Sequence, residues 1–148
     1  SKLLLVGDGP ERSGIEALCR DLGVYHDVRF LGKLDTIEEA LSLADLFLLT
    51  SEKESFGLAA LEAMACEVPV ICSNAGGLPE VVDHGINGYL ADVGDVETMA
   101  NFAIELLKND EDLKEFGKQA LLKAKQFSLD NILNEYLAVY ESTLNVKL

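Results

Sequence analysis

The sequence is poor in basic residues, in histidine and in cysteine, and each shortage removes a class of function. Twelve lysines and arginines face 26 aspartates and glutamates, so the 148 residues carry a net charge of −14 at pH 7. Such a chain repels nucleic acid and anionic membrane surfaces, and neither is expected as a partner. The two histidines, His26 and His84, stand far apart in loop-like surroundings without a cysteine or serine arrangement beside them, which argues against a ligand or catalytic role. Three cysteines, Cys19, Cys66 and Cys72, are an odd number at spacings that match no zinc or redox motif. Each falls in an apolar helix or strand pattern, so they read as buried free thiols of a reducing compartment, the cytoplasm. No apolar run approaches the ~20 residues of a membrane span. No Gly-x-Ser-x-Gly or Gly-Lys-Ser/Thr element exists, which removes the usual signatures of hydrolases and P-loop enzymes. Ser1 leads straight into an apolar strand, so the lack of a signal segment carries no weight.

Two further patterns have plain structural explanations. Gly7-Asp8-Gly9-Pro10 has half of a dinucleotide fingerprint, but Pro10 removes an amide donor and the third glycine is missing. Asp110-Glu111-Asp112 stands where the N-cap and acidic first turn of a helix belong, with Leu113 starting its apolar face, and is not read as a metal site.

What is present is an alternation of short β-rich runs with helical patterns. Strands are expected at Lys2 to Val6, Val28 to Leu31, Leu46 to Thr50, Val68 to Cys72 and Gly88 to Ala91. Helices between them cover Arg12 to Leu22, Thr36 to Ala44, Gly57 to Cys66 and Pro79 to Asp83. That alternation predicts βαβ units and a Rossmann-like parallel sheet flanked by helices. Gly23 fits the C-terminal cap of the first helix, and Thr36 with Glu39 a capping box for the second. From Asp95 onward the pattern is wholly helical: Val96 to Lys108, Glu111 to Lys125 and Leu129 to Leu144, the last with Ile132, Leu133, Tyr136, Leu137 and Tyr140 along one face.

The segment from Ser51 to Ala65 carries the chemistry. The apolar run Leu46 to Thr50 and the helix formers from Leu58 to Ala65 place the intervening loop at the carboxyl end of a strand, where open parallel sheets bind ligands. The backbone amides of Phe56, Gly57, Leu58 and Ala59 have no partner within the helix, and with the helix dipole they form an anion site. Glu54 lies before the helix and Glu62 about two turns inside it, so two carboxylates flank that site. Hydroxyls, diphosphate and ribose hydroxyls, the layout of a sugar nucleotide, match this order of groups. Gly76-Gly77 forms a second loop on the same sheet edge.

These residues carry a resemblance. Glu54-Ser55-Phe56-Gly57-Leu58 through Glu62-Ala63-Met64-Ala65, then Pro69-Val70-Ile71, Gly76-Gly77-Leu78-Pro79-Glu80-Val81-Val82 and Gly85-Ile86-Asn87-Gly88-Tyr89-Leu90, preceded by Leu3 to Pro10, resemble the donor-binding half of the GT-B retaining glycosyltransferases of the large GT4 family. The resemblance implies that residues 1–148 are one nucleotide-sugar-binding domain, the C-terminal half of a GT-B fold with a helical C-terminal segment. The N-terminal acceptor domain and the first strand and loop of this domain would lie outside the chain. It implies a UDP-hexose or UDP-N-acetylhexosamine donor and retaining transfer to an acceptor hydroxyl, with no cofactor and no metal. Glu54, Ser55 and Phe56 would meet the donor sugar, Gly57, Leu58 and Ala59 the diphosphate, Glu62 the ribose diol, and Lys33 the base, with Leu34 beside it. Glu54 is the catalytic candidate. In the resembled family an Arg and a Lys that bind the diphosphate come from upstream of Ser1, and the last helix crosses back to the N-terminal domain, so its apolar face here would be partly unpartnered. A GT-B sugar-nucleotide epimerase, or a nucleotide-binding module without catalysis, would share the same nucleotide site.

One departure stands out. The family carries glycine between its glutamate helix and the Pro-Val strand, where this chain has Cys66-Glu67-Val68. If that glycine is a left-handed helix cap, Glu67 must either bear strain or end the helix differently.

Overall fold

The structure, a computed structural model, describes residues 1–144, which fall into two compact units, Ser1–Ile37 and the described residues from Glu38 onward. In the first unit, β1 (Leu3–Val6) pairs in parallel with β2 (Val28–Gly32), linked by α1 (Arg12–Asp21) and a short turn at Tyr25–Asp27. Helix α1 stops as its sequence predicts: Gly23 takes φ +72, its N–H donates to the Arg20 carbonyl at 3.0 Å, and the Val24 N–H reaches back to Cys19 at 2.9 Å. Strand β1 pairs on one side only, and Leu3, Leu4 and Val6 are exposed.

The second unit holds α2 (Glu38–Leu41), β3 (Phe47–Leu49), α3 (Leu58–Ala65), β4 (Val70–Ser73), α4 (Leu78–Val81), β5 (Gly88–Ala91), α5 (Val96–Lys108), α6 (Asp110–Gln126) and α7 (Leu129–Leu144). Its parallel sheet runs β3-β4-β5, with Phe47 opposite Val70 and Val70 opposite Gly88. A strand between two neighbours and under helices on both faces is expected to be mostly apolar. All four residues of β4 are accordingly buried: α3 packs on β3 and β4, while Ile71 meets Ala91 and Met99 on the α5 side. The strands pair in parallel throughout and are flanked by helices, as the alternation predicts, in the orders β1-β2 and β3-β4-β5.

Two expectations need correction. Helix α2 spans only Glu38–Leu41, which puts Ile37 at the N-cap position and leaves Thr36 too early for a capping box. Its last turn tightens instead, with Leu43 and Ala44 N–H groups donating three residues back to Ala40 and Leu41. Cys66 is half-buried at the end of α3, whereas Cys19 and Cys72 are buried as expected. Helix α6 begins after Asn109, whose Oδ1 accepts from Glu111 and Asp112 at 3.1 and 3.3 Å, so the acidic run fills its first turn.

The departure at Glu67 resolves as strain. Glu67 is the one non-glycine at positive φ among the described residues, at +64. Its N–H donates to Met64 at 3.0 Å and the Val68 N–H to Ala63 at 3.1 Å, the same two bonds that close α1 at Gly23. Helix α6 crosses here closely enough that a β-carbon at Gly117 would overlap the Glu67 carbonyl oxygen. A left-handed conformation costs a residue with a β-carbon roughly 1–2 kcal/mol, partly offset by glycine's freer unfolded chain. Glu67→Gly is therefore expected to stabilise the fold by about 0.5–1 kcal/mol. Urea unfolding midpoints of the two variants check this, and a lower midpoint for the glycine variant would refute the strain.

Candidate functional site

The loop between β3 and α3 ends in Gly57, at φ +102 and ψ +36, which turns the chain from strand direction into the helix. A β-carbon at this position would stand 2.8 Å from Leu78 Cδ2, so both the dihedral and the space select glycine. Gly57 is the N-cap of α3 yet offers no capping side chain. Glu54 supplies one from three residues earlier: its Oε1 accepts from the Gly57 N–H at 3.2 Å and more loosely from the Phe56 N–H at 3.4 Å. Two of the four amides that the sequence marks as an anion site are thus turned toward the protein's own carboxylate. The amides of Leu58, Ala59 and Ala60 have no acceptor within the helix, the first intrahelical bond being Leu61 N–H to Gly57 at 3.1 Å.

Helix α3 buries Ala60, Leu61, Ala63 and Met64 and leaves Leu58, Glu62 and Ala65 exposed. The exposed positions recur at four and three residues, a single stripe on one side of the helix. Glu62 therefore projects on the same open side as Leu58, one helical turn along, with the unpaired amides at the stripe's beginning. Glu54 is half-buried, Ser55 and Phe56 are exposed, and the Phe56 ring meets Phe127 edge-on at 5.7 Å. Phe56, Leu58 and Leu61 also line a groove of about 540 Å³ with Phe127, Ile132, Glu135, Tyr136 and Val139. The predicted apolar face of α7 borders this groove, and Leu133, Tyr136, Leu137 and Tyr140 are exposed. Lys33 and Leu34 belong to the first unit, exposed in the bend that follows Gly32, a residue at φ +68.

Beneath the loop lies a group that spacing along the chain does not connect with it. Cys72, fully buried near the end of β4, has its thiol pushed up to about 12, chiefly by burial and further by the charge of Glu54. Only the folded arrangement makes Cys72 and Glu54 neighbours. His84 takes a structural part: its Nδ1 accepts from the Leu90 N–H at 3.0 Å, and its ring packs edge-on against Tyr89 and Phe102. Among the described residues, no three histidine, cysteine or acidic side chains gather to hold a metal, and no helix is long and apolar enough to cross a membrane.

A parallel α/β fold with a glycine-hinged helix N-terminus between two acids at a strand's carboxyl edge is the build of a ligand site that can take an anion. The chain belongs to the family of glycosyl transferases group 1, whose model matches residues 1–123. It is 48% identical over 145 residues to N-acetyl-alpha-D-glucosaminyl L-malate synthase of Bacillus anthracis, covering 97% of this chain and 38% of that protein. It superposes with a TM-score of 0.87 on the crystal structure of Anabaena Alr3699/HepE in complex with UDP, at 30% identity over 95% of this chain and 41% of that one. Sucrose-phosphate synthase from Thermosynechococcus elongatus also gives a TM-score of 0.87 at 30% identity, over 97% of this chain and 39% of that one. The chain spans about two-fifths of the length of the curated relatives it matches.

The thiols give a direct check on this packing. The folded Cys72 value lies above its ordinary 9.0, so its contribution to stability is fully present below pH 9 and fades as pH rises toward about 12. At pH 8 Cys72 is therefore an unreactive thiol, whereas Cys66 is half-buried. Disulfide-exchange titration at pH 8 should label Cys66 first and Cys72 only after denaturant is added. Labelling of native Cys72 alongside Cys66 would contradict the placement of Cys72 under Glu54.

Proposed function

We propose that this chain is the donor-binding part of a retaining GT4-type glycosyltransferase that takes a UDP-hexose or UDP-N-acetylhexosamine and delivers its sugar to an acceptor hydroxyl. The observation that carries the reading is the open stripe on α3, with unpaired amides at its start, Glu62 one turn along and the Glu54 carboxylate at its entrance. The diphosphate sits on the amides of Leu58 and Ala59, with Gly57 giving close approach. Glu62 accepts from the ribose diol. Glu54, through the oxygen its capping bonds leave open, and the Ser55 to Phe56 backbone meet the sugar hydroxyls. Lys33, with Leu34 beside it, meets the base through its backbone.

Transfer then depends on stabilising the leaving diphosphate as the sugar becomes oxocarbenium-like, and amides fixed at a helix terminus do so without reorganising. Solved structures of a relative with UDP and with UDP-glucose support a nucleotide-sugar donor, and the name of the Bacillus anthracis relative supports an N-acetylhexosamine. The three free thiols fit a cytoplasmic setting.

The acceptor is held by an N-terminal domain outside this chain, which also covers the apolar face of α7. A further parallel strand of the donor domain lies outside it too. The open edges of β1 and β3 support this, since both strands are apolar and pair on one side only.

In the intact parent enzyme, Glu62→Gln should weaken UDP binding by about 1.5–3 kcal/mol, the worth of a charged acceptor on the ribose. Calorimetric titration decides it, and unchanged UDP affinity would remove Glu62 from the ribose. Glu54→Gln should leave UDP affinity nearly intact while turnover falls, because its partner is the sugar. Equal loss of UDP binding in both variants would end the division of labour between the two acids.

A further inference from the structure

The loop after β4 grips the loop that carries Glu54, main chain against main chain. Gly76, at φ +53, lies so close to the Glu54 peptide that a β-carbon would overlap its carbonyl oxygen and come within 2.7 Å of its carbonyl carbon. Gly77 has ordinary dihedrals, φ −81 and ψ −5, so its need for glycine is steric alone. A β-carbon there would stand 2.8 Å from both Phe56 Cα and the Ser55 carbonyl oxygen. The Gly77 N–H also donates to the Glu54 carbonyl at 3.3 Å. Contacts made by side chains can relax through new rotamers, whereas a contact between two backbones has none to change.

The consequence reaches the carboxylate. With its main chain clamped from behind, Glu54 holds Oε1 on the Phe56 and Gly57 amides and leaves Oε2 without a protein hydrogen bond among the described residues. Resting on the donor reading above, we infer that Gly76 and Gly77 are positioning residues for sugar transfer, fixing the Glu54 to Phe56 main chain that presents the carboxylate to the donor sugar. The nucleotide side of the site, on the α3 amides and Glu62, lies beyond the clamped peptides. Disturbing the clamp therefore separates sugar transfer from nucleotide binding.

Gly77→Ala in the intact parent transferase tests this, because it adds bulk without changing the allowed backbone. Turnover is expected to fall about 10- to 100-fold, the scale of a displacement near 1 Å at a reacting group, with UDP affinity by calorimetry unchanged. Gly94→Ala is the control for backbone strain alone: Gly94 sits at φ +82 with nothing within 4 Å of an added β-carbon, and both readouts should stay at wild-type values. In a Glu54→Ala background the Gly77 change should cost no further turnover, since the group it positions is gone. Full turnover in Gly77→Ala, a parallel loss of UDP affinity, or losses that simply add in the double variant would each overturn the inference. If Gly77→Ala fails to fold, amide exchange in the wild-type enzyme decides: a slowly exchanging Gly57 N–H supports a clamped cap, and exchange at the solvent rate overturns it. Full turnover in Glu54→Ala would instead defeat the donor reading itself.

Discussion

Strand β4 is the constraint on which the second unit depends. A four-residue strand buried on every side chain must have both edges hydrogen-bonded and both faces covered, since water reaches none of its polar groups. The requirement places β3 and β5 alongside, α3 on one face and α5 on the other. It also dictates the path of the chain beyond the strand. Leaving β4 at Ser73, the chain turns immediately, and the loop through Ala75, Gly76 and Gly77 packs into the one leaving β3. The carboxyl edge of a parallel sheet gathers loops because every strand ends there. Here two of them touch through backbone alone, which makes that edge rigid at the position of Glu54.

Rigidity also explains an odd capping arrangement. A side-chain cap at the first position of α3 would stand over the free amides, and Gly57 has none to offer. The task passes to Glu54, whose carboxylate reaches over the turn to the Gly57 and Phe56 amides. The helix entrance is thereby held in shape with no side chain standing over the Leu58 and Ala59 amides. The arrangement places a negative charge above the buried Cys72, and it is tolerated because burial keeps that thiol neutral.

Much of this is legible in the order of residues. The bounds Gly88–Ala91 and Val96–Lys108 coincide with the elements found, as does the start of the last helix at Leu129, because each begins or ends on a strong local signal. Asp95 at the start of α5 is one: its carboxylate accepts from the Thr98 N–H at 3.0 Å and is held below the usual carboxylate range by that bond. Gly23 is another, since only a left-handed residue could end α1 there. Helix α2 is shorter than its pattern predicts because its brief periodicity gives way to a tighter turn, and helices of one turn depend on tertiary contacts more than on their own sequence. The glutamates can be placed around a helix start from spacing alone. That Glu54 turns back onto two amides cannot, because the choice depends on a rotamer in a loop whose main chain is packed against Gly76 and Gly77, some twenty residues away. Glycines advertise a turn, whereas the peptide that a glycine lets in must be seen.

Charge decides what an anion at this helix terminus would meet. A helix terminus contributes about half a positive charge, and in α3 part of it is already engaged by Glu54. Of the cations, Lys123 holds Asp83 at 3.0 Å, Lys118 lies near Glu115, all three arginines belong to the first unit, and Lys53 stands exposed in the loop before α3, next to Glu54 in the chain. In the first unit Arg12 and Arg20 share Glu16, and Arg29 donates to the His26 and Val28 carbonyls. An anion brought to α3 would add its charge to a surface that is acidic overall, with the helix dipole and Lys53 as local counterweights.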